Sequence, residues 1–142
     1  MSSQSISAAV RRRVAEMSQY RCGYCLTAQR IIGPLLEVDH IVPQARGGTD
    51  EADNLVLACP MCNSHKADRQ EAVDPETLLV VRLYNPRTDV WQDHFAWIED
   101  GAVIRGQTPT GRATVAALAM NHPDMVAARR LWVSAGWHPP VH

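Results

Sequence analysis

Four cysteines constrain this 142-residue chain more than anything else in it: Cys22-x-x-Cys25 and Cys59-x-x-Cys62, with 33 residues between the pairs. Each pair presents two thiols from one tight turn, and a tetrahedral ion that takes all four closes the loop between them. The spacing therefore predicts a structural zinc site on Cys22, Cys25, Cys59 and Cys62. The competing readings are two disulfides, which suit an oxidising compartment, or four inert buried thiols. Met1 to Gln4 lacks the basic segment and apolar run of a secretory signal, and no stretch of about eighteen apolar residues occurs. A cytoplasmic protein that makes no membrane contact is expected.

The chain is long enough for one domain or two closely apposed halves, which excludes a multidomain machine. Its 14 basic and 15 acidic residues nearly cancel. Through Arg69 the count is 8 basic to 7 acidic, and beyond it 6 to 8, so neither half is a polybasic binder. Any contact with nucleic acid must come from a local basic patch and a bound metal. The run Arg11-Arg12-Arg13 reads as a solvated helix face, with a phosphate-contacting patch as the alternative.

Periodicity supplies the elements. Val10, Val14 and Met17 mark one stripe of a helix over 7–19, with Ser7 as its N-cap. The apolar stretch from Leu35 to Val42 fits a strand ended by Pro43, residues 44–54 a long ordered loop, and Leu55 to Ala58 a second strand. A helix is expected over 61–72. In the second half, strands are expected over 78–84, 91–98 and 102–105, with a tight hairpin at Asp100-Gly101, followed by helices over 110–120 and 123–135. Pro123 suits a first helical turn and Gly136 a left-handed C-cap, after which Trp137 is expected to fold back. All four tryptophans, Trp91, Trp97, Trp132 and Trp137, lie in this half and are read mainly as core. The fold class is α+β, divided as 1–72 and a C-terminal extension of hairpins and helices over 73–142.

Chemistry concentrates in Val38-Asp39-His40-Ile41-Val42-Pro43, Gly47-Gly48, Asp53-Asn54-Leu55 and Cys59-Pro60-Met61-Cys62-Asn63-Ser64-His65-Lys66. Each motif alone is weak. In this order, over residues 22–69, they resemble the HNH endonuclease family. The resemblance implies a ββα-metal site, in which a two-stranded ribbon and a helix hold one divalent ion against the scissile phosphate.

Under that resemblance His40 is the general base, since an imidazole is substantially neutral at pH 7 and can take a proton from water. Asp39 supplies an anionic oxygen ligand, and Asn63, at the last position of the family's name, an amide oxygen. Hard oxygen ligands argue for magnesium or manganese, while the zinc on the thiolates is scaffold. Asn54 matches the middle asparagine, whose role in the family is to tie the connecting loop and orient the base. Lys66, three residues after Asn63, and Arg69 are expected to reach substrate phosphates. His65 lies about 200° around the helix from Asn63 and reads as a surface residue. Gly47-Gly48 reads as backbone permissiveness. Successive strand residues face opposite ways, so Asp39 and His40 share a site only if a bend or bulge intervenes.

The second half carries no separate activity in its sequence. Asp93-His94 lacks partners at ligand spacing and reads as surface or structure, and Arg112, Arg129 and Arg130 as solvated helix faces or an extended DNA track. The expectation is a metal-dependent DNA endonuclease acting as monomer or homodimer. The alternative is a noncatalytic zinc-stabilised nucleic-acid-binding module, and cleavage of structured RNA shares the same motifs.

Overall fold

The computed structural model describes residues 6–140; residues 1–5 and 141–142, which include the Met1–Gln4 start read above for location, lie outside the described residues. The chain divides into two compact units, Met1–Gln70 with Asn85–Thr88 and Glu71–Tyr84 with Asp89–His142. Helices and three separate antiparallel strand pairs make it an α+β protein.

The first unit begins with α1 (Ala8–Met17), whose N-terminus is capped by the Ser7 hydroxyl accepting from Val10 N at 3.1 Å. The cap satisfies one of the N–H groups that a helix start leaves without a partner. Val14 is fully buried against Ile6, Leu55 and Leu57, and Val10 packs on the same cluster. Met17, expected on this stripe, is 38% exposed. The helix stops at Ser18, and Gln19 and Tyr20 take φ of 56°, so no further turn encloses it.

Strand β1 (Glu37–His40) pairs with β2 (Leu55–Ala58), in unbroken register from Glu37↔Ala58 to His40↔Leu55. All four β2 residues are buried, as a continuous apolar run predicts. The expected strand over 35–42 is trimmed at both ends. Gly33–Leu35 forms a 3-10 turn, and beyond His40 the chain leaves the ladder, with Ile41 N donating to Asn54 O at 2.9 Å. Helix α3 (Pro60–Lys66) follows β2 directly, capped by the Cys59 sulfur. The expected helix over 61–72 ends early because Ala67 adopts φ 51°. Only Asp68, Arg69 and Gln70 follow, none of which offers an apolar face to bury. A short helical turn, α2 (Gln29–Ile32), lies between the first cysteine pair and β1.

The second unit holds two hairpins, β3 (Glu71–Val73) with β4 (Val80–Arg82) and β5 (Phe95–Ile98) with β6 (Val103–Gly106). Leu78 lies in the first hairpin's turn at φ 65°, so the strand expected from 78 begins at Val80. The strand expected over 91–98 opens as a helical turn, α4 (Trp91–His94). That turn sets Trp91 over Phe95 with ring centroids 5.2 Å apart and 5.3 Å from Trp97, so aromatic burial overrides strand propensity. The Asp100-Gly101 hairpin is present, with φ of 59° and 94° at its two residues. Helices α5 (Pro109–Ala117) and α6 (Pro123–Ser134) close the chain, α6 carrying Pro123 in its first turn and Gly136 at φ 79° beyond its end. Trp91 is buried, Trp97 and Trp132 are half-buried, and Trp137 is 50% exposed, its N–H donating to Trp132 O at 2.9 Å where the chain turns back at Gly136. Arg129, expected on a solvated face, is fully buried and donates to the carbonyls of Ala102 and Met120.

Asp74 organises the first hairpin's turn. Its buried carboxylate accepts from Glu76 N and Thr77 Oγ1 and takes a bidentate pair from Arg112 at 3.0 and 2.9 Å. The Arg112 guanidinium holds this carboxyl well below the usual carboxylate range. Such a group stabilises the fold fully above its unfolded pKa of about 3.9, and that stability is lost as pH falls through the folded value. Asp74→Asn should therefore lower Tm at pH 7, with the gap from the parent closing as pH drops below about 4. Thermal melts across this range check it; a gap that stays constant down to about pH 2 contradicts the linkage.

Candidate active site

The ribbon, α3 and the turn after Tyr20 gather the four cysteines. All are buried, and their sulfurs lie within 4.8 Å of one another, with Cys25 and Cys59 3.7 Å apart. Sulfurs at the corners of a tetrahedron with metal–sulfur bonds of about 2.3 Å would sit roughly 3.8 Å apart. Cys25 N donates to Cys22 Sγ and Cys62 N to Cys59 Sγ, so backbone amides support both pairs. Burial pushes the Cys22 thiol up, and proximity to Cys22 raises Cys62. Four thiolates this close repel one another unless a cation sits among them, and the donor set is one that zinc favours. The cluster is compatible with a structural zinc.

On the other side of the ribbon's end, Val38, Asp39 and His40 of β1, Pro43 and Gln44 after it, and Asn63 of α3 line one open cavity of ≈ 470 Å³. Of the bend or bulge that a shared site requires, the structure has a bend: the register runs through both Asp39 and His40, and the chain bends at Ile41 and Val42 directly after them. The two side chains turn to different partners, yet both border the cavity because β1 ends there.

Asp39 is 7% exposed, and its Oδ2 accepts from Tyr24 OH at 3.2 Å and lies 3.3 Å from Lys66 Nζ. Burial raises the Asp39 carboxyl above its ordinary range, opposed by the Lys66 ammonium and the Tyr24 hydroxyl. Lys66, expected to reach substrate, is 2% exposed and also donates to His40 O at 3.0 Å. Its ammonium is an internal counter-ion to Asp39. Asn63 Nδ2 donates to Glu37 Oε1 at 2.8 Å. A carboxylate can only accept, so this bond fixes the amide with its carbonyl oxygen directed away from Glu37. Among the described residues no hydrogen bond is made to Asp39 Oδ1 or Asn63 Oδ1, and a carboxylate and an amide oxygen are hard donors of the kind a divalent cation takes.

His40 Nε2 lies 2.7 Å from Asp50 Oδ1, which also accepts from Gln44 Nε2 at 2.8 Å. Asn54, expected to orient the base, makes no hydrogen bond to the imidazole among the described residues. Its amide donates to Val42 O and Thr49 O and accepts from Val42 N, lacing the loop over 42–54 shut. A Cβ on Gly48 would collide with the Val42 carbonyl oxygen, so that glycine is required for the loop's close approach. His65 donates to Met61 O and does not line the cavity, and Arg69, beyond the helix, donates to His65 O.

Residues 22–69 match the HNH endonuclease family. No curated protein and no solved structure matches the chain. The HNH segment lies in the first unit and spans both cysteine pairs, the ribbon, the loop and α3. The match points to nuclease-type chemistry on nucleic acid, with the four cysteines as a possible zinc site. Among the described residues no helix is long and apolar enough to cross a membrane.

Two residues at the HNH site were not singled out from sequence, Glu37 and Asp50. Glu37 had a signal: it stands two positions before Asp39 and therefore on the same strand face. Asp50 sits in a polar turn where acidic residues are ordinary, and only the loop's path brings it to His40.

Protein purified without added zinc should contain one zinc per chain by elemental analysis, contributing on the order of 10 kcal/mol to folding. Cys59→Ser should lose the ion and the cooperative melt. A folded parent protein holding disulfides and no zinc contradicts this assignment.

Proposed function

We propose that this protein is a metal-dependent endonuclease that hydrolyses DNA phosphodiester bonds, with His40 as general base and Asp39 and Asn63 as ligands of a catalytic magnesium or manganese ion. The observation that carries the reading is the meeting of His40, Asp39 and Asn63 on one open cavity within the HNH segment. Four cysteines alone would serve a binding module; an imidazole on the same cavity as a carboxylate and an amide is what hydrolysis requires in addition.

Phosphodiester hydrolysis develops negative charge on the phosphoryl oxygens and on the leaving alkoxide. The chemistry that an ion on Asp39 and Asn63 would supply is neutralisation of that charge. His40 takes a proton from the attacking water as its oxygen closes on phosphorus. Glu37 holds the Asn63 amide in its ligating sense, and Lys66 fixes Asp39 from beneath. Asn54 acts on the loop that carries the rest of the site. Arg69, exposed just beyond α3, remains the candidate phosphate contact.

On supercoiled plasmid, His40→Ala should fold and bind DNA while cutting about 100-fold more slowly or worse. Asn63→Ala should raise the magnesium or manganese concentration needed for cleavage, and chelator should abolish it. Cleavage by His40→Ala at the parental rate refutes the mechanism, and intact DNA binding without cleavage by the parent under any divalent ion favours the binding module instead.

One site per chain also implies one strand cut at a time, since opposed strands run antiparallel. Open circles should accumulate before linear product. Linear product from a protein that sediments as a monomer, without an open-circle intermediate, contradicts that.

A further inference from the structure

The loop between β1 and β2 spends its hydrogen bonds on placing one carboxylate. Asn54 ties Val42 to Thr49 through both ends of its amide, and the next residue is Asp50. Gly48 N donates to Pro43 O at 2.9 Å, and a side chain on Gly48 would break the closure. Gln44 Nε2 donates to Asp50 Oδ1, the same oxygen that lies 2.7 Å from His40 Nε2. The imidazole side chain is 8% exposed and Asp50 33%, so the contact is partly shielded from water.

We propose that Asp50 is the positioning residue of the base: by accepting from Nε2–H it fixes the neutral His40 tautomer in which Nδ1 carries the lone pair and takes the proton from water. An ionised carboxylate has no proton to give, so in the neutral ring the shared hydrogen belongs to Nε2. Among the described residues His40 Nδ1 has no hydrogen-bond partner, and the ring borders the open cavity. When Nδ1 accepts the proton from water, the ring becomes an imidazolium with Nε2–H still directed at Asp50, and the carboxylate stabilises that charge without itself being protonated. The proposal rests on the reading of His40 as base. It moves the orienting role from Asn54, which shapes the loop, to Asp50, which touches the ring.

The test is 15N NMR of the His40 ring in the full-length zinc-loaded protein, with no other divalent ion and the imidazole neutral. The expected spectrum places the proton on Nε2 and leaves Nδ1 bare, and a proton on Nδ1 overturns the proposal whatever the cleavage rate. In Asp50→Ala the tautomer preference should weaken, with kcat down about 10–100-fold and KM within about twofold. Asp50→Glu, which restores a carboxylate, should recover part of kcat. Unchanged kcat in Asp50→Ala, or a rise in KM alone, also overturns it, the latter by making Asp50 a substrate contact. Should Asp50→Ala not fold, the parent spectrum still decides. Parental cleavage by His40→Ala would instead sink the nuclease mechanism while leaving the tautomer result as measured.

Discussion

Four sulfurs within 4.8 Å of one another, with all four cysteines buried, set the terms for the first unit. Uncharged, they are poorly matched neighbours for a tight turn; charged, they repel at short range in a shielded site. An ion that bonds to all four removes both problems, and in doing so joins the turn after α1 to the start of α3. The ribbon lies in the span between the two pairs. Val14, Leu55, Leu57 and Ile6 form one buried apolar cluster of this unit, and Tyr24, Ile41 and Val56 are buried as well, so the closure adds to a core that a span this short keeps small.

Within that frame, strand alternation distributes the chemistry. Glu37 and Asp39 share a face and turn to α3, where they meet Asn63 and Lys66; His40, on the other face, turns to the loop and meets Asp50. A bulge would have put Asp39 and His40 on one side and disrupted the ladder between them. Ending the strand immediately after His40 achieves the shared cavity with the ladder intact. The loop must then return to the ribbon over a short distance, which is why Asn54 bonds on three sides and why Gly48 has no room for a side chain.

What was legible in the sequence followed from local chemistry. The Ser7 cap, the β2 run, the cysteine cluster and the order strand, loop, strand, helix could be read because each rests on residues adjacent in the chain. Errors came where a distant partner decides. Lys66 looked like a surface cation until Asp39 buried it, and α3 looked longer because nothing in 67–72 announces the left-handed Ala67. Trp91 reads as strand by composition and becomes a helical turn only because Phe95 and Trp97 pack against it. Asp50 illustrates the same limit: an acidic turn residue acquires a role only from where the loop carries it. Arg129 is the counterpart in the second unit, where backbone carbonyls converge on a guanidinium that the sequence placed outside.

The ion pair of Asp39 and Lys66 has an evolutionary consequence. Both members are almost wholly enclosed, and removing one partner of such a pair strands the other's charge, at a cost of about 3–5 kcal/mol. The two positions are therefore free to drift only together. A lineage that lost Asp39 alone would weaken its fold at the same step, whereas one that lost His40 would keep the pair whole. Under the proposed mechanism, descendants of this chain that no longer cleave but have kept their shape should have changed at the histidine first.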